Sequence, residues 1–591
     1  MSPIRRIISK SKRFILRPQE TFAYVAFGMA ILIFVGKISG IVKQQVLVGI
    51  FGLRSQELDL FLAANTIPEF IFLIVALGGI NAALIPVFSQ TSANNDAVML
   101  KRVFSSIVNV FFVVMVFLCT LIFIFAPQLV NLVFKLEVGN SGSTLTTEDV
   151  DQFVSLLRIL IISPVILSVS SIFSSILQIR KQFFVTQFAP IFYNAGLILV
   201  AVFVLPRVNY DITYLAYGVL LGSVLHFLIQ LPAIFKVRIS YSMFIWDIRN
   251  IYVLQALKQA APRTIGLATD YIANIFQTVI ALQLVTGSFA SFKLALSIRE
   301  IATLVFGLSV AQALFPRMSE LGSEKNITEL QDIFSQGLRT ILFWTLPVAA
   351  MIIVLRTPIV QLVYGLFSDK VDLEETSLLS YCLLFLSLGV VFFASLNIIN
   401  RVFYSLNDSV TPTVVSVMVI TIEIALTYVL ANIFSHFSTF SLNPAAFTTV
   451  EDYFTKGQGQ AAIGGVALAA TIAITINVIL LSIFLYLRHS IKVWYQPEKI
   501  LKKVVSASFS LAIGFAVFKF LGDFFRSDRV IGVMLLTLFT SSSMMLVYYL
   551  MEKLLKDEDV NILDDPVKRG RKAIKHFLRL VRKSEVSGVS T

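Results

Sequence analysis

Charged side chains are scarce in this chain. Only 14% of its 591 residues are Asp, Glu, Lys or Arg, whereas a soluble globular protein has about a quarter. This shortage excludes a soluble enzyme of several domains. Histidine and cysteine are rarer still, with four and two residues, too few for the usual metal sites or for a disulfide scaffold. Cys119 and Cys382 both lie inside apolar runs, and we predict that they are small core residues.

Motifs for catalysis and nucleotide binding are absent from the sequence. It contains no phosphate-binding Gly-rich loop, no Walker motif and no nucleophile elbow. It also lacks the sizeable polar face that a membrane glycosyltransferase needs. The sequence therefore predicts a protein that is not an enzyme, has no cofactor or metal site, and does not itself use ATP.

Apolar residues are abundant instead. They make up 57% of the chain, and the mean hydropathy is +0.84. A helix that crosses a bilayer needs roughly 20 apolar residues, and such runs recur from end to end. The sequence thus predicts an all-α polytopic membrane protein with about 14 transmembrane helices. The predicted extents are 21–50, 59–88, 103–134, 152–178, 184–205, 212–236, 257–284, 288–315, 332–365, 376–404, 411–434, 462–487, 501–522 and 529–552.

The basic residues follow the predicted spans. The net charge of +13 would suggest nucleic acid in a soluble protein, but here the basic residues flank apolar runs, so no nucleic-acid partner is expected. Alternate connections are rich in Lys and Arg, beginning with the amino terminus and ending with the tail. The positive-inside rule then places both termini in the cytoplasm, which requires an even number of spans. The tail is predicted either to lie as a helix on anionic lipid or only to fix this topology.

Two pairs of segments match at nearly the same offset along the chain. Residues 83–89 resemble residues 313–319, and the connection at 178–186 corresponds to the connection at 404–412. A displacement of six helices preserves orientation, so we predict two parallel lobes of six helices each, with alternating access between them. The predicted divisions are an N-terminal lobe (1–238), a cytoplasmic linker (239–256), a C-terminal lobe (257–488), a final helix pair (489–552) and a basic tail (553–591).

Several runs resemble the MurJ/MviN family of the multidrug/oligosaccharidyl-lipid/polysaccharide exporter superfamily in order and spacing. The runs are 36–44, 59–64, 67–70, 78–88, 188–194, 261–263, 314–319 and 401–408. The resemblance implies a flippase that moves lipid II, the lipid-linked peptidoglycan precursor, between the leaflets of the bacterial cytoplasmic membrane. It also implies a cationic central cavity, and a groove for the lipid tail formed by the last two helices.

The implied partners are lipid II or a similar polyprenyl-pyrophosphate saccharide, membrane lipids, and cell-wall synthesis proteins. Three alternatives remain open at this point. The chain could flip another polyprenyl-linked saccharide, act as a cation-coupled antiporter of the same superfamily, or serve as a membrane scaffold that transports nothing.

Lysines in the first predicted helix are candidates for binding the substrate. A pyrophosphate headgroup needs cations that face a polar cavity. Lys37 and Lys43 align with family positions that are usually arginine. Lysine keeps the charge but loses the bidentate geometry of arginine. The alternative is that either lysine snorkels to the membrane interface.

The eighth predicted helix carries a second set of candidates. Family members often have arginine where this chain has Phe72 and Ser297, so Lys293, one turn before Ser297, could supply the missing charge. Glu300 shares its helix stripe and matches a family carboxylate, and Arg299 is a further candidate for binding. The alternative is a Lys293–Glu300 pair that only locks the helix.

Three acids complete the predictions. Asp59 matches a family aspartate and is either a gate that pairs with a lysine or a charge that favours a helix amino terminus. Asp270 and Glu423 lie in apolar runs and could form a site that couples transport to Na⁺ or H⁺. The alternative is a pair of neutral acids that hold helices together. Asn194 is predicted to form a hydrogen bond between helices.

Overall fold

The computed structural model describes residues 22–74, 97–134, 146–180, 182–237, 241–365, 376–435, 461–525, 530–557 and 559. The regular structure of this part of the chain is helical throughout. The helices are α1 (Phe22–Phe51), α2 (Gln56–Phe72), α3 (Ala97–Phe134), α4 (Thr147–Leu160), α5 (Ser163–Ile179), α6 (Phe183–Leu199), α7 (Thr213–Leu228), α8 (Leu231–Val237), α9 (Ile251–Leu282), α10 (Ser288–Thr303), α11 (Ser309–Ser323), α12 (Ile327–Tyr364), α13 (Thr376–Ser405), α14 (Val410–Phe434), α15 (Ala462–His489), α16 (Pro497–Gly522) and α17 (Val530–Leu554).

The prediction of a polytopic all-α membrane protein is confirmed. Within the described residues, 12 helical stretches are long and apolar enough to cross a membrane. The two remaining predicted spans, 59–88 and 257–284, coincide with α2 and α9. The description of the first stops at residue 74, and the second contains the shorter apolar helix Tyr271–Leu282.

Several predicted spans are interrupted where the sequence changes local geometry. The span at 152–178 consists of α4 and α5, because Pro164 in the first turn of α5 has no N–H to continue α4. Single turns of π-helix, Val200–Val204 and Leu304–Leu308, follow α6 and α10. Helix α12 is kinked at Leu355, three residues before Pro358, whose ring clashes with the preceding turn.

The chain packs as two compact units. The first comprises the described parts of Met1–Leu296, Val360–Phe385 and Ser416–Ala473. Its core includes Cys119, which packs with neighbours on α3 and α5, and Cys382 is also buried, so both cysteines occupy the predicted core positions. Helices α6 and α7 approach so closely that a Cβ on Gly196 would lie 2.4 Å from Gly222 Cα. Small residues commonly permit such contacts between membrane helices.

The second unit comprises the described parts of Ser297–Ile359, Leu386–Val415 and Ile474–Thr591. Its apolar core joins α12 to the last helix pair through Leu355 and Met544. The rings of Phe343 and Tyr548 also meet there, with 5.5 Å between centroids. These units group segments by proximity, so the boundaries of the predicted repeats stay predictions.

Candidate functional site

Lys43 lies half-buried on α1, in the first unit. Its ammonium group is 5.8 Å from the centroid of the Tyr193 ring on α6, which is within the range of a cation–π contact. Next to this contact, Asn194 Nδ2 donates a hydrogen bond of 2.9 Å to Ser39 Oγ, so Asn194 joins α1 and α6 as predicted. Lys37, on the same helix, is exposed.

Lys293 forms an ion pair with a residue to which the sequence had assigned no role. Its Nζ is 3.5 Å from Glu69 Oε2 on α2, and the two side chains are 34% and 40% exposed. Asn65 Nδ2 donates to Glu69 Oε1 at 2.7 Å and so orients the carboxylate. Lys43 is near enough to interact electrostatically with both Glu69 and Lys293.

We refer to Lys43, Glu69, Lys293 and Tyr193 as the lysine–glutamate cluster. Its residues come from four helices, α1, α2, α6 and α10, and all four residues lie in the first unit. These four residues include two ammonium groups and one carboxylate, so together they carry a net positive charge. A half-exposed site with this charge can receive an anion without losing the interactions that hold the helices in place.

A buried tyrosine sets the spacing of the two lysines. The hydroxyl of Tyr364 lies 3.1 Å from Gln44 Oε1 and 3.2 Å from the carbonyl oxygen of Leu294, so its proton is shared between these acceptors. Gln44 and Leu294 directly follow Lys43 and Lys293 in the chain. The end of α12 therefore fixes α1 and α10 beside the lysine–glutamate cluster.

Asp59 forms a cap on α10. Its carboxylate is 2% exposed and accepts hydrogen bonds from the N–H groups of Gly287 and Ala290, at 2.7 and 2.6 Å. Such a charge at a helix amino terminus satisfies orphan donors and interacts favourably with the helix dipole. Asp59 thus lies in the first turn of its own helix, α2, and also caps the start of α10. Its action as a gate stays a prediction.

The backbone at this cap leaves no room for a side chain. Gly287 has φ +86°, and a Cβ there would lie 2.7 Å from Arg54 Cα and from the carbonyl oxygen of Leu53. Glycine adopts this conformation without strain. The cap determines where α10 begins, and Lys293 lies one turn beyond Ala290.

Two other predicted binding residues, Arg299 and Glu300, fall in the second unit. Arg299 is buried and stacks its guanidinium on the Phe393 ring, with 3.8 Å from Cζ to the centroid. Glu300 is exposed. Substrate binding by either residue stays a prediction.

The acids predicted to couple an ion are described in part. Glu423 Oε1 on α14 accepts a hydrogen bond of 2.6 Å from Gln277 Nε2 on α9. Asp270 lies two turns before Gln277 on α9, and its side chain lies outside the described residues. Gln277, which was not predicted as a site residue, joins α9 to α14 at this carboxylate.

Glu69 and Tyr193 were also overlooked as site residues. Both lie inside runs that carry the family resemblance, 67–70 and 188–194. For Glu69 a physical signal was present, because a carboxylate inside a predicted span needs a cation or a water-filled cavity. No comparable signal distinguishes Tyr193 from other membrane aromatics.

The fold of this chain resembles those of solved membrane proteins. A solved structure described as the inward-facing conformation of a multidrug resistance MATE family transporter of the MOP superfamily matches at a TM-score of 0.60. It shares 15% sequence identity and covers 79% of this chain and 98% of its own. A structure of lipid II flippase MurJ in an inward closed conformation matches at a TM-score of 0.67, with 20% identity, over 89% of this chain and 99% of its own. The protein therefore has the fold of the MOP-superfamily transporters.

The sequence places the chain more narrowly, since residues 48–449 match the model of the family described as lipid II flippase MurJ. The chain belongs to this family. A probable lipid II flippase MurJ from Buchnera aphidicola is 26% identical over 395 residues, covering 65% of this chain and 73% of the relative. The lipid II flippase MurJ of Burkholderia cenocepacia is 24% identical over 403 residues, covering 68% and 76%. The resemblance inferred from the short runs is thus confirmed.

Proposed function

We propose that this protein flips lipid II from the inner to the outer leaflet of the cytoplasmic membrane. Membership of the MurJ family supports this function, and so does the lysine–glutamate cluster. The cluster supplies positive charge on membrane helices, where charge is costly unless it serves a ligand or a partner. This single observation favours an anionic cargo over an organic cation.

The cluster suggests how the headgroup would be held. A pyrophosphate would approach Lys43 and Lys293, and its oxygens would compete with Glu69 for the Lys293 ammonium. Because that ion pair is 3.5 Å long and about one-third exposed, it is worth little, on the order of 0–1 kcal/mol. Glu69 can therefore keep Lys293 in place without preventing exchange for a phosphate oxygen.

We further propose that the protein works by alternating access, with Asp59 acting at the gate. Separation of α2 from α10 at this point would break the two hydrogen bonds to Asp59, each worth about 1.5–3 kcal/mol. The bound headgroup must then supply a compensating preference for the other conformation.

Coupling to Na⁺ or H⁺ through Glu423 and Asp270 remains part of the proposal. The contact between Gln277 and Glu423 supports it, because it places a membrane carboxylate at a junction of helices. Replacement of both acids by their amides tests it. Flipping that keeps the same dependence on Na⁺ and pH in this double variant would rule out coupling at these residues.

The proposed orientation places both termini and the basic connections in the cytoplasm. In this arrangement α16 and α17 would form the groove for the polyprenyl tail, and Arg299 and Glu300 would take part in binding. Cell-wall synthesis proteins would then be able to use the flipped substrate at the outer surface.

Complementation tests the proposed function. A bacterium depleted of its own MurJ would express the wild-type chain, Lys43→Ala, Lys293→Ala or the matched control Lys553→Ala, whose side chain is exposed at the end of α17. We expect the wild type and the control to restore lipid II in the outer leaflet, and the two cluster variants to lose it. A wild-type chain that is inserted but restores nothing would refute lipid II flipping. Full restoration by both cluster variants would refute the proposed site.

A further inference from the structure

The connection between α8 and α9 has its apolar side chains on the outside. We refer to residues 241–250 as the aromatic loop. Its exposed side chains include Tyr241, Met243, Phe244, Trp246 and Ile248, and that of Phe244 is 86% exposed. Its partly buried positions are mostly polar, since they are Ser242, Asp247 and Asn250 together with Ile245. A loop in water would show the opposite arrangement.

Polar residues of α3 hold the loop in this conformation. The buried amide of Asn109 donates to the carbonyl oxygens of Ser242, Met243 and Ile245, at 2.9 to 3.3 Å. The hydroxyl of Tyr241 donates in turn to Asn109 Oδ1 at 2.6 Å.

Two serines of α3 complete the attachment. Ser105 Oγ accepts from the N–H of Ser242 at 3.0 Å, and Ser106 Oγ accepts from the N–H of Asp247 at 2.8 Å. Both serines are fully buried. Three carbonyl oxygens and two N–H groups of the loop thus bond to α3, while most of its apolar side chains are exposed.

The attachment point lies beside a membrane span. Helix α3 contributes the span Lys101–Asn131, whose basic end carries Lys101 and Arg102. Asn109 is seven residues beyond Arg102, which places it roughly 10 Å further along the helix. Trp and Tyr side chains concentrate where the ends of membrane spans meet the interface.

Cations surround the loop. Arg102, Lys236, Arg249 and Lys258 are exposed on the loop or on the helices next to it. The carboxylate of Asp247 is engaged internally, since it accepts a hydrogen bond of 3.3 Å from Asn250. Exposed aromatic side chains with a positive border complement a leaflet that contains anionic lipid.

We propose that the aromatic loop is an interfacial anchor that inserts into the leaflet at the basic ends of the spans. The loop connects the segments predicted as the two lobes, so the anchor fixes the start of α9 relative to the bilayer. The proposal does not depend on which lipid-linked molecule is transported.

Site-directed spin labelling of the full chain tests the anchor. Phe244→Cys carries the label, and Cys119 and Cys382 are buried, so labelling is selective for position 244. The matched control is Glu324→Cys in the exposed turn after α11. The protein is reconstituted in vesicles of phosphatidylglycerol and phosphatidylcholine, and collisions with oxygen and with a water-soluble nickel chelate are compared.

We expect oxygen collisions to exceed nickel collisions several-fold at position 244 and the reverse at position 324. Equal behaviour of the two positions would place the loop in water and overturn the proposal. Shielding of position 244 from both reagents would also overturn it, because a protein surface, such as a second copy of the chain, would then cover the loop.

A second measurement avoids any change in the loop. With Trp344→Phe and Trp494→Phe, the remaining tryptophan is Trp246. Its fluorescence should be quenched by lipids brominated near the headgroup and resist quenching by iodide. Adding Asn109→Ala should reduce quenching by lipid several-fold, since it removes the contacts that hold the loop. Strong iodide quenching before that change would contradict the anchor.

Discussion

Two clusters of charged residues in this molecule differ in exposure and in charge balance. We propose a role in transport for one and a role in stability for the other. In the first unit, the lysine–glutamate cluster has two cations and one carboxylate, and the ion-paired Lys293 and Glu69 are about one-third exposed. In the second unit, Lys503 is completely buried and contacts Asp557, and its Nζ lies 2.8 Å from Asp559. Arg339 Nε lies 3.4 Å from the same Asp559.

We refer to Lys503, Arg339, Asp557 and Asp559 as the Lys503 cluster. It has no surplus of positive charge. Two cations face two carboxylates, and a third carboxyl, that of Glu552, is also fully buried next to Asp557. A largely buried network whose charges balance has no surplus positive charge with which to bind an anionic ligand. A partly exposed cluster with net positive charge does. We therefore infer that exposure and charge balance, not the mere presence of membrane charges, mark the proposed transport site.

The largest expected effect on stability belongs to Lys503→Ala. This change leaves the buried Asp557 without its cation, whereas Asp559 keeps Arg339, and we expect a cost of about 3–5 kcal/mol. Thermal unfolding of the purified protein measures the change. The control is Lys502→Ala, because Lys502 is adjacent in the chain and its side chain is only partly buried. Transport per folded molecule should stay normal. A stable variant that fails in transport would erase the distinction between the clusters.

The cap at Asp59 gives the next largest effect. Gly287→Ala should destabilise the protein by about 1–3 kcal/mol, because its positive φ and the nearby Arg54 backbone leave no room for a Cβ. Gly522→Ala, where a Cβ would meet nothing within 4 Å, is the matched control. An unchanged melting temperature for Gly287→Ala would mean that the cap does not fix α10, nor therefore Lys293.

Low pH should destabilise the protein through the Lys503 cluster. Burial raises the pKa of Asp557, but hydrogen bonds from Lys503 and from the Asp559 amide outweigh burial, so the pKa lies below its ordinary value. Asp408 has a lowered pKa for a similar reason, since hydrogen bonds from Thr411 and His489 and the charge of Arg488 outweigh its burial.

A lowered pKa contributes stability above the unfolded value of about 4 and loses it as the pH falls through the folded value. From these two carboxylates we therefore expect a melting temperature that is constant between about pH 7 and pH 5. It should fall below about pH 4. Asp557→Asn should flatten this acid limb. An acid limb of unchanged steepness would show that Asp557 contributes no such stability.

The smallest expected effect on stability belongs to Lys293→Ala, which distinguishes the two clusters most clearly. Lys293→Ala should change the free energy of unfolding by about 0–1 kcal/mol, because its ion pair is partly exposed. Its transport should nevertheless be lost. A destabilisation as large as that of Lys503→Ala would make Lys293 an architectural residue.

Much of the fold could be predicted from the sequence because span length is a direct physical requirement of the bilayer. The predicted extents 376–404 and 462–487 nearly match α13 and α15. The breaks were harder to foresee, since the π-helical turns at 200–204 and 304–308 depend on packing between helices, which a hydropathy pattern does not contain.

Only part of the candidate site could be predicted from the sequence. Lys43 and Lys293 were singled out because they lie at or near positions where the resembling family has arginine and because charges inside spans are costly, and their role in binding stays a prediction. Glu69, the ion-pair partner of Lys293, was not singled out, because periodicity places residues on one face of a helix but does not say which other helix that face contacts. For the same reason Asp59 could be predicted as a helix-terminal charge, but not as the cap of α10, more than two hundred residues away in the chain.

The most direct test of the account is binding of lipid II to the purified protein as the charge of the lysine–glutamate cluster is varied. Glu69→Gln raises the positive surplus, and Lys43→Ala and Lys293→Ala each remove it, with Lys553→Ala as the control. We expect affinity at least as high as wild type for Glu69→Gln, wild-type affinity for the control, and weaker binding for both alanine variants. Equal affinity across the series, with every variant folded, would contradict the claim that this cluster receives the headgroup.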